Sequence, residues 1–217
     1  VYTAANRKAA RDLAAETFVL LKNENQVLPL KKQGKIALIG PLANDRANLC
    51  GTWCVAMAPE RYSTLKESME RALKGKAQLL YAQGCNIASD DALQKAGEQG
   101  KNIMRVDDAQ AKAETLAVAA QADVIIAAMG EASEFSGESH SRVNLELPDV
   151  QMALLKELVA TGKPVVLLNF SGRPTILNWE KAHVPAILNV WFGCSEAGDA
   201  ICDVVFGDKN PCGKLTT

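Results

Sequence analysis

Short apolar runs alternate with helix-patterned stretches along most of this chain, and that alternation limits the fold more than any other feature. Residues 35–39, 77–81, 123–129, 164–170 and 186–191 each read as a buried strand, because successive residues are apolar rather than every second one. Residues 61–73, 107–122 and 148–159 read as helices between them, and residues 195–206 as a last helix closed by Gly207. A short helical turn is expected at residues 178–181. Such alternation predicts a mostly parallel sheet covered on both faces. Ahead of the first strand, Ala9, Leu13, Ala14, Thr17, Leu20 and Leu21 recur at helical spacing, so residues 2–25 read as a helix ending in the polar tail Lys22-Asn-Glu-Asn25. With 217 residues, 48% of them apolar, the chain can bury a sizeable core, as one large α/β domain or two small ones.

Loop lengths then point to one edge of the sheet. Residues 40–60, 82–106 and 130–147 follow the first three strands, whereas the connections from helix to next strand are only a few residues. In open α/β sheets ligands bind outside the carboxyl ends of the strands, which is where the long loops collect. The third loop is the most informative. It exceeds the roughly 2–6 residues such a connection needs. It also carries Glu131, Glu134 and Glu138 together with His140 and Arg142. Acids, a titratable ring and a fixed cation in one long loop compose an active-site loop, against the plainer reading of solvated charges. Arg142 either pins the loop or lines a polar pocket, and His140 reads as a polar neighbour rather than a metal ligand.

Several function classes fall away. A formal net charge of −1, with charges scattered along the chain, offers no field for nucleic acid or an anionic membrane surface. No apolar run reaches the 18 residues of a membrane span. Gly40-Pro-Leu-Ala-Asn-Asp45 follows a strand but lacks the glycines of a dinucleotide loop, and no phosphate-binding P-loop occurs. Gly137-Glu-Ser-His-Ser141 and Gly193-Cys-Ser-Glu-Ala-Gly198 come near a nucleophile elbow without its spacing. The six cysteines, Cys50, Cys54, Cys85, Cys194, Cys202 and Cys212, form no Cys-x-x-Cys pair, and only His140 and His183 could join them. That argues against zinc, and each cysteine reads as a small buried side chain. A disulfide involving Cys50, Cys54 or Cys85 is compatible with an oxidising compartment. No cofactor is expected. The N-terminus has neither an initiating Met nor a signal-peptide pattern, so residue 1 reads as not the native start.

A run of motifs carries a resemblance to a known family. In order along the chain they are Glu16-Thr-Phe-Val-Leu-Leu-Lys-Asn-Glu24, Val27-Leu-Pro-Leu30, Lys35-Ile-Ala-Leu-Ile-Gly-Pro41, Gly51-Thr-Trp53, Gly162-Lys-Pro-Val165, Ser171-Gly-Arg-Pro174, and Trp191-Phe-Gly-Cys-Ser-Glu-Ala-Gly198 through Phe206-Gly-Asp-Lys-Asn-Pro-Cys-Gly-Lys-Leu215. Together they resemble the second domain of glycoside hydrolase family 3. The resemblance implies a three-layer α/β/α sandwich with a mostly parallel six-stranded sheet, which normally packs on an N-terminal (β/α)8 barrel. It implies retaining hydrolysis of β-glucosides or related β-linked sugars, with the barrel supplying an aspartate nucleophile and this domain the acid/base glutamate. Glu138, four residues before Arg142, fits that glutamate, while Glu131 matches the family Gly-Glu at the strand end.

Trp53, Phe135 and Trp191 could stack on sugar faces, with core the preferred reading for Trp191; Glu131 could hydrogen-bond a sugar or brace the loop, with bracing preferred. The resemblance implies a periplasmic or secreted enzyme. No segment here resembles the family's Ser-Asp-Trp nucleophile motif, so the chain is expected to be inactive alone. It reads as residues 1–217 of a single sandwich domain with an N-terminal linker helix at about 1–30, excised from a larger enzyme. Gly213-Lys-Leu-Thr-Thr217 stops where family members run on, often into a fibronectin-like domain. The rival readings are a non-catalytic carbohydrate-binding or scaffold domain and a flavodoxin-like regulatory or nucleotide-binding domain.

Overall fold

The structure, a computed structural model, describes residues 2–98 and 103–216. Its central sheet has six strands in the order β1-β6-β5-β4-β2-β3. β2 (Lys35–Ile39), β3 (Gln78–Ala82), β4 (Val124–Gly130), β5 (Val165–Phe170) and β6 (Ala186–Asn189) are parallel, and β1 (Val19–Asn23) runs antiparallel along β6.

Side chains alternate across a strand, so each apolar run feeds two cores at once. Ile36, Leu38, Ile126, Ala128, Val166 and Leu168 face one core with Leu65, Met69, Ala197 and Ile201. Ala37, Ile39, Ile125, Ala127, Val165 and Leu167 face the other with Ala119, Leu154, Leu155 and Leu158. The first core lies under α1 (Ala4–Thr17), α2 (Leu65–Leu73), α3 (Asp91–Gly97) and α7 (Ala197–Val205), and the second under α4 (Asp108–Gln121), α5 (Asp149–Ala160) and α6 (Asn178–His183). This is a three-layer α/β/α sandwich.

The helix starts are written locally. Thr64 and Glu67 form a reciprocal capping box at α2. Thr3, Asp90 and Asp107 cap α1, α3 and α4 by accepting from a backbone N–H three residues on. Ion pairs from α1 then fix it across α7, with Arg7 2.9 Å from Glu196 and Arg11 2.5 Å from Asp203.

Three segments differ from the sequence expectation. The N-terminal helix ends at Thr17, and Val19–Asn23 is the sixth strand. The linker helix over about 1–30 is therefore wrong in extent, and residue 1 lies outside the described residues. The open edge of β6 accounts for the change: pairing Val19 with Asn189 and Leu20 with Leu188 satisfies backbone groups that an extended helix would leave bare. The loop after β3 holds a helix of its own, α3, while residues 99–102 of that loop lie outside the described ones. β6 also ends before Trp191, whose φ of 50° turns the chain out of the sheet.

Candidate functional site

The loops that leave the carboxyl ends of the parallel strands are stitched into one body. From the loop after β2, the buried Asn48 amide nitrogen donates to Gly97 O at 3.1 Å, and its oxygen accepts from Ser133 N at 2.9 Å. Thr52 Oγ1 sits between the carbonyls of Ser133 and Ser136, 2.5 Å from the latter. From the loop after β5, Arg173 Nη2 donates to the carbonyl oxygens of Phe135 and His140, the second at 2.8 Å.

Glu131 is the anchor of this body. Gly130, at φ +139°, ends β4 so close to β5 that an added Cβ would lie 1.9 Å from Phe170 O. Only glycine fits there, and the turn it permits sends the next side chain inward. Glu131 is accordingly 1% exposed. Arg142 Nη1 donates to its Oε1 at 2.6 Å, Arg173 Nε lies 3.5 Å from Oε2, and Ser171 Oγ lies 3.2 Å from Oε2. Buried Gln151 of α5 holds the same strand end from the other face. Its oxygen accepts from Gly130 N at 2.8 Å, and its amide nitrogen donates to Gly130 O and Ile87 O at 2.9 and 2.7 Å.

The other candidates divide by exposure. Phe135 is buried under the Arg142 guanidinium, which lies 5.4 Å from the ring centroid, so it offers no open face to a sugar. Trp191 is half-buried and donates from Nε1 to Thr17 O at 3.2 Å. Trp53 is 72% exposed at the loop edge. Glu134 is half-buried on the turn Ser133–Phe135, and His140 is exposed. Glu138 is exposed on the turn beyond Gly137 and has no hydrogen bond or ion pair among the described residues. The loop thus presents Glu138 outward and locks Glu131 inward.

Sequence reading met Ser171-Gly-Arg-Pro174 as a motif without giving Arg173 its role, and it gave none to Asn48, Thr52 or Gln151. The turn signal at Ser171-Gly marks where Arg173 leaves the sheet, but not which carboxylate it meets. Asp45, after β2, is a further buried acid, 1% exposed. Burial pushes its carboxyl up to about 7, against the hydrogen bond that its Oδ2 accepts from Asn48 N–H at 2.9 Å.

The same edge gathers three sulfurs. Cys50, Cys54 and Cys194 have Sγ atoms all within 4.8 Å of one another, the one arrangement among the described residues with three donors placed to share a metal. Cys194 Sγ and Cys50 Sγ share a hydrogen bond at 3.7 Å, which holds the Cys194 thiol below the usual range while raising that of Cys50. All six cysteines are free thiols, and only Cys85 and Cys202 are buried, so the reading of every cysteine as a buried filler is corrected for the other four.

The sheet order, the crowded carboxyl edge and the Gly130-Glu131 anchor define an α/β sandwich that presents a loop-built surface. The description "Glycosyl hydrolase family 3 C-terminal domain" matches residues 18–217. The chain belongs to glycoside hydrolase family 3, and it is that family's C-terminal domain. It is 40% identical over 213 residues to a periplasmic beta-glucosidase of Salmonella typhimurium, covering 97% of this chain and 28% of that protein. It is 32% identical to a beta-xylosidase of Formosa agariphila, covering 99% of this chain and 28% of the relative. Among solved structures, a beta-glucosidase from Listeria innocua in complex with isofagomine superposes with a TM-score of 0.81 at 28% identity, over 97% of this chain and 26% of that one. The chain therefore spans little more than a quarter of the proteins it matches.

Proposed function

We propose that this chain is the acid/base-bearing domain of a retaining glycosidase acting on β-glucosides or related β-linked sugars, with Glu138 as the acid/base. The observation that carries this reading is the division of labour in the loop after β4. Glu131 is held between Arg142 and Arg173, and Glu138 is exposed at the tip of the same loop. A retaining mechanism needs two carboxyl groups about 5–5.5 Å apart, one to attack the sugar and one to protonate the leaving oxygen and then deprotonate water. Glu138 is the second, and an N-terminal barrel domain of the same protein supplies the first. A general acid needs burial or a neighbouring charge to hold its proton near neutral pH. Glu138 is exposed on this chain, so the barrel closes over it. Trp53 stands on the adjoining loop as a face for a sugar ring. No cofactor takes part. The protein works in the periplasm or outside the cell, a reading supported by the periplasmic relative; no described helix is long and apolar enough to cross a membrane.

Loss of a positioned general acid typically costs about 10²–10⁴ in rate, or roughly 3–5 kcal/mol of barrier. In the full-length protein, Glu138→Ala is expected to slow natural disaccharides by that factor. Aryl glycosides, whose leaving groups depart without a proton, should be slowed far less. Equal slowing of both would remove Glu138 from the role. The 217-residue chain by itself should not turn over an aryl β-glucoside, and turnover abolished by Glu138→Gln would refute that.

A further inference from the structure

We propose that Cys50, Cys54 and Cys194 form a three-thiolate zinc site that fastens the loop after β2 to the loop after β6. This stands apart from the glycosidase reading, because none of the three residues is given a part in that chemistry. The argument begins with sulfur geometry. Two thiolates on one tetrahedral zinc, each with a bond of about 2.3 Å, lie about 3.8 Å apart. Cys50 and Cys194 Sγ are 3.7 Å apart, and all three sulfurs fall within 4.8 Å. A shift of about 1 Å in Cys54 would bring the set onto one ion.

That residue has room to move, since its loop neighbour Val55 is wholly exposed and Met57 is 44% exposed. The sequence spacing agrees as well. Cys50-Gly-Thr-Trp-Cys54 is a Cys-x3-Cys pair, inside the two-to-four-residue interval of zinc chelates, and the search for Cys-x-x-Cys alone passes over it. The third ligand comes from 140 residues downstream and is legible only once the fold joins the two loops.

Backbone donors are also in place. The Ser195 N–H stands beside the Cys194 thiol and the Ala56 N–H beside the Cys54 thiol, and each acts to lower its neighbour, as outer partners that orient metal thiolates do. Soft thiolates select zinc or copper(I) over hard cations. Binding would release the three thiol protons to solvent, leave a complex of net charge −1, and keep a fourth position for water. Between the first two ligands sits Thr52, whose hydroxyl lies against the Ser133 and Ser136 carbonyls. The ion would therefore stiffen the strip that carries Trp53 against the loop that carries Glu138.

The test uses the full-length protein, reduced, stripped with a chelator, and titrated with Zn²⁺ and with Co²⁺ as a spectroscopic stand-in. The expected result is one equivalent of metal and a thiolate-to-cobalt charge-transfer band in the near ultraviolet. Cys194→Ser and Cys54→Ser should each abolish the band and weaken zinc binding by more than the about 10–100-fold that loss of an outer partner costs. Cys212→Ser, at an exposed cysteine outside the cluster, should leave both unchanged. Because Cys194 is exposed, its serine variant should fold, which a circular dichroism spectrum would check. Substoichiometric metal on the reduced protein, an unaltered band in Cys194→Ser, or a metal-free Cys50–Cys194 disulfide in the protein as isolated would each overturn the proposal.

Discussion

Replacing Glu131 by Gln separates bracing from chemistry at this edge. The substitution preserves volume and leaves an oxygen for Ser171, but it removes the charge shared by Arg142 and Arg173. Those guanidiniums have side chains only 15% and 18% exposed, so water cannot readily take over from the carboxylate. Removing one partner from a buried ion pair costs about 3–5 kcal/mol, because the remaining charge stays buried and unpaired. In a domain of this size each kcal/mol moves the melting point by about 2–4 °C, so Glu131→Gln should melt roughly 6–20 °C lower. Thermal melts of the chain and the variant at neutral pH measure this directly. A second step tests the cause: adding Arg142→Met to Glu131→Gln removes the stronger of the two unpaired cations, so the double variant should regain part of the loss. A single-variant cost under about 1 kcal/mol, the scale of an exposed pair, would refute the brace. So would a double variant whose cost is the plain sum of the two singles.

Two further outcomes follow from the same edge. Asp45 keeps its proton up to about pH 7 when folded, whereas an unfolded aspartate loses it near pH 4. The folded chain thus holds the extra proton between those values, and stability falls as pH rises through that window by up to about 1.4 kcal/mol per unit, then levels off above it. Asp45→Asn should remove this slope, so urea melts at pH 5 and pH 8 should show the variant gaining on the parent at the higher pH; an equal difference at both would sink the assignment. Gly130→Ala, with its Cβ driven against Phe170 O, should cost at least about 2–3 kcal/mol in a thermal melt. Gly75→Ala, at φ +72° with nothing within 4 Å, should cost about 1 kcal/mol, and equal costs at the two sites would count against the crowding argument.

The legible parts of this fold are those written in local pattern. Apolar runs such as Val165–Phe170, buried at every residue, announce a central parallel strand whatever surrounds them. β1 was not legible, because Val19–Asn23 alternates too weakly to outvote the helical spacing running into it, and its partner lies at the far end of the chain. The same limit applies at the candidate site. Glu131, Glu138 and Arg142 stand in one loop and can be read together. Arg173, Gln151 and the Cys50–Cys194 proximity depend on which strands become neighbours. Thr52 and Asn48 carried no signal, since a polar residue in a surface loop looks the same whether it is solvated or buried in a junction.

The spacing between Glu138 and Arg142 now has a mechanical explanation. The loop leaves β4 at Glu131, passes under itself at Phe135, and comes back at Arg142, which reaches Glu131 across 2.6 Å and covers the Phe135 ring. Arg173 pins the carbonyls at Phe135 and His140, one on each side of the tip. Both ends of the stretch from Phe135 to Arg142 are therefore fixed to the same buried carboxylate and its two cations, and the residues between must bulge outward. Glu138 lies near the middle of that bulge, with Gly137 at φ +116° beside it to turn the chain. Moving the arginine one residue nearer would shorten the bulge and draw Glu138 toward the protein surface; one residue further would slacken it. An exposed acid whose position is set by a buried ion pair combines reach with a fixed footing, which is what the proton donor proposed above would need to work across a domain boundary.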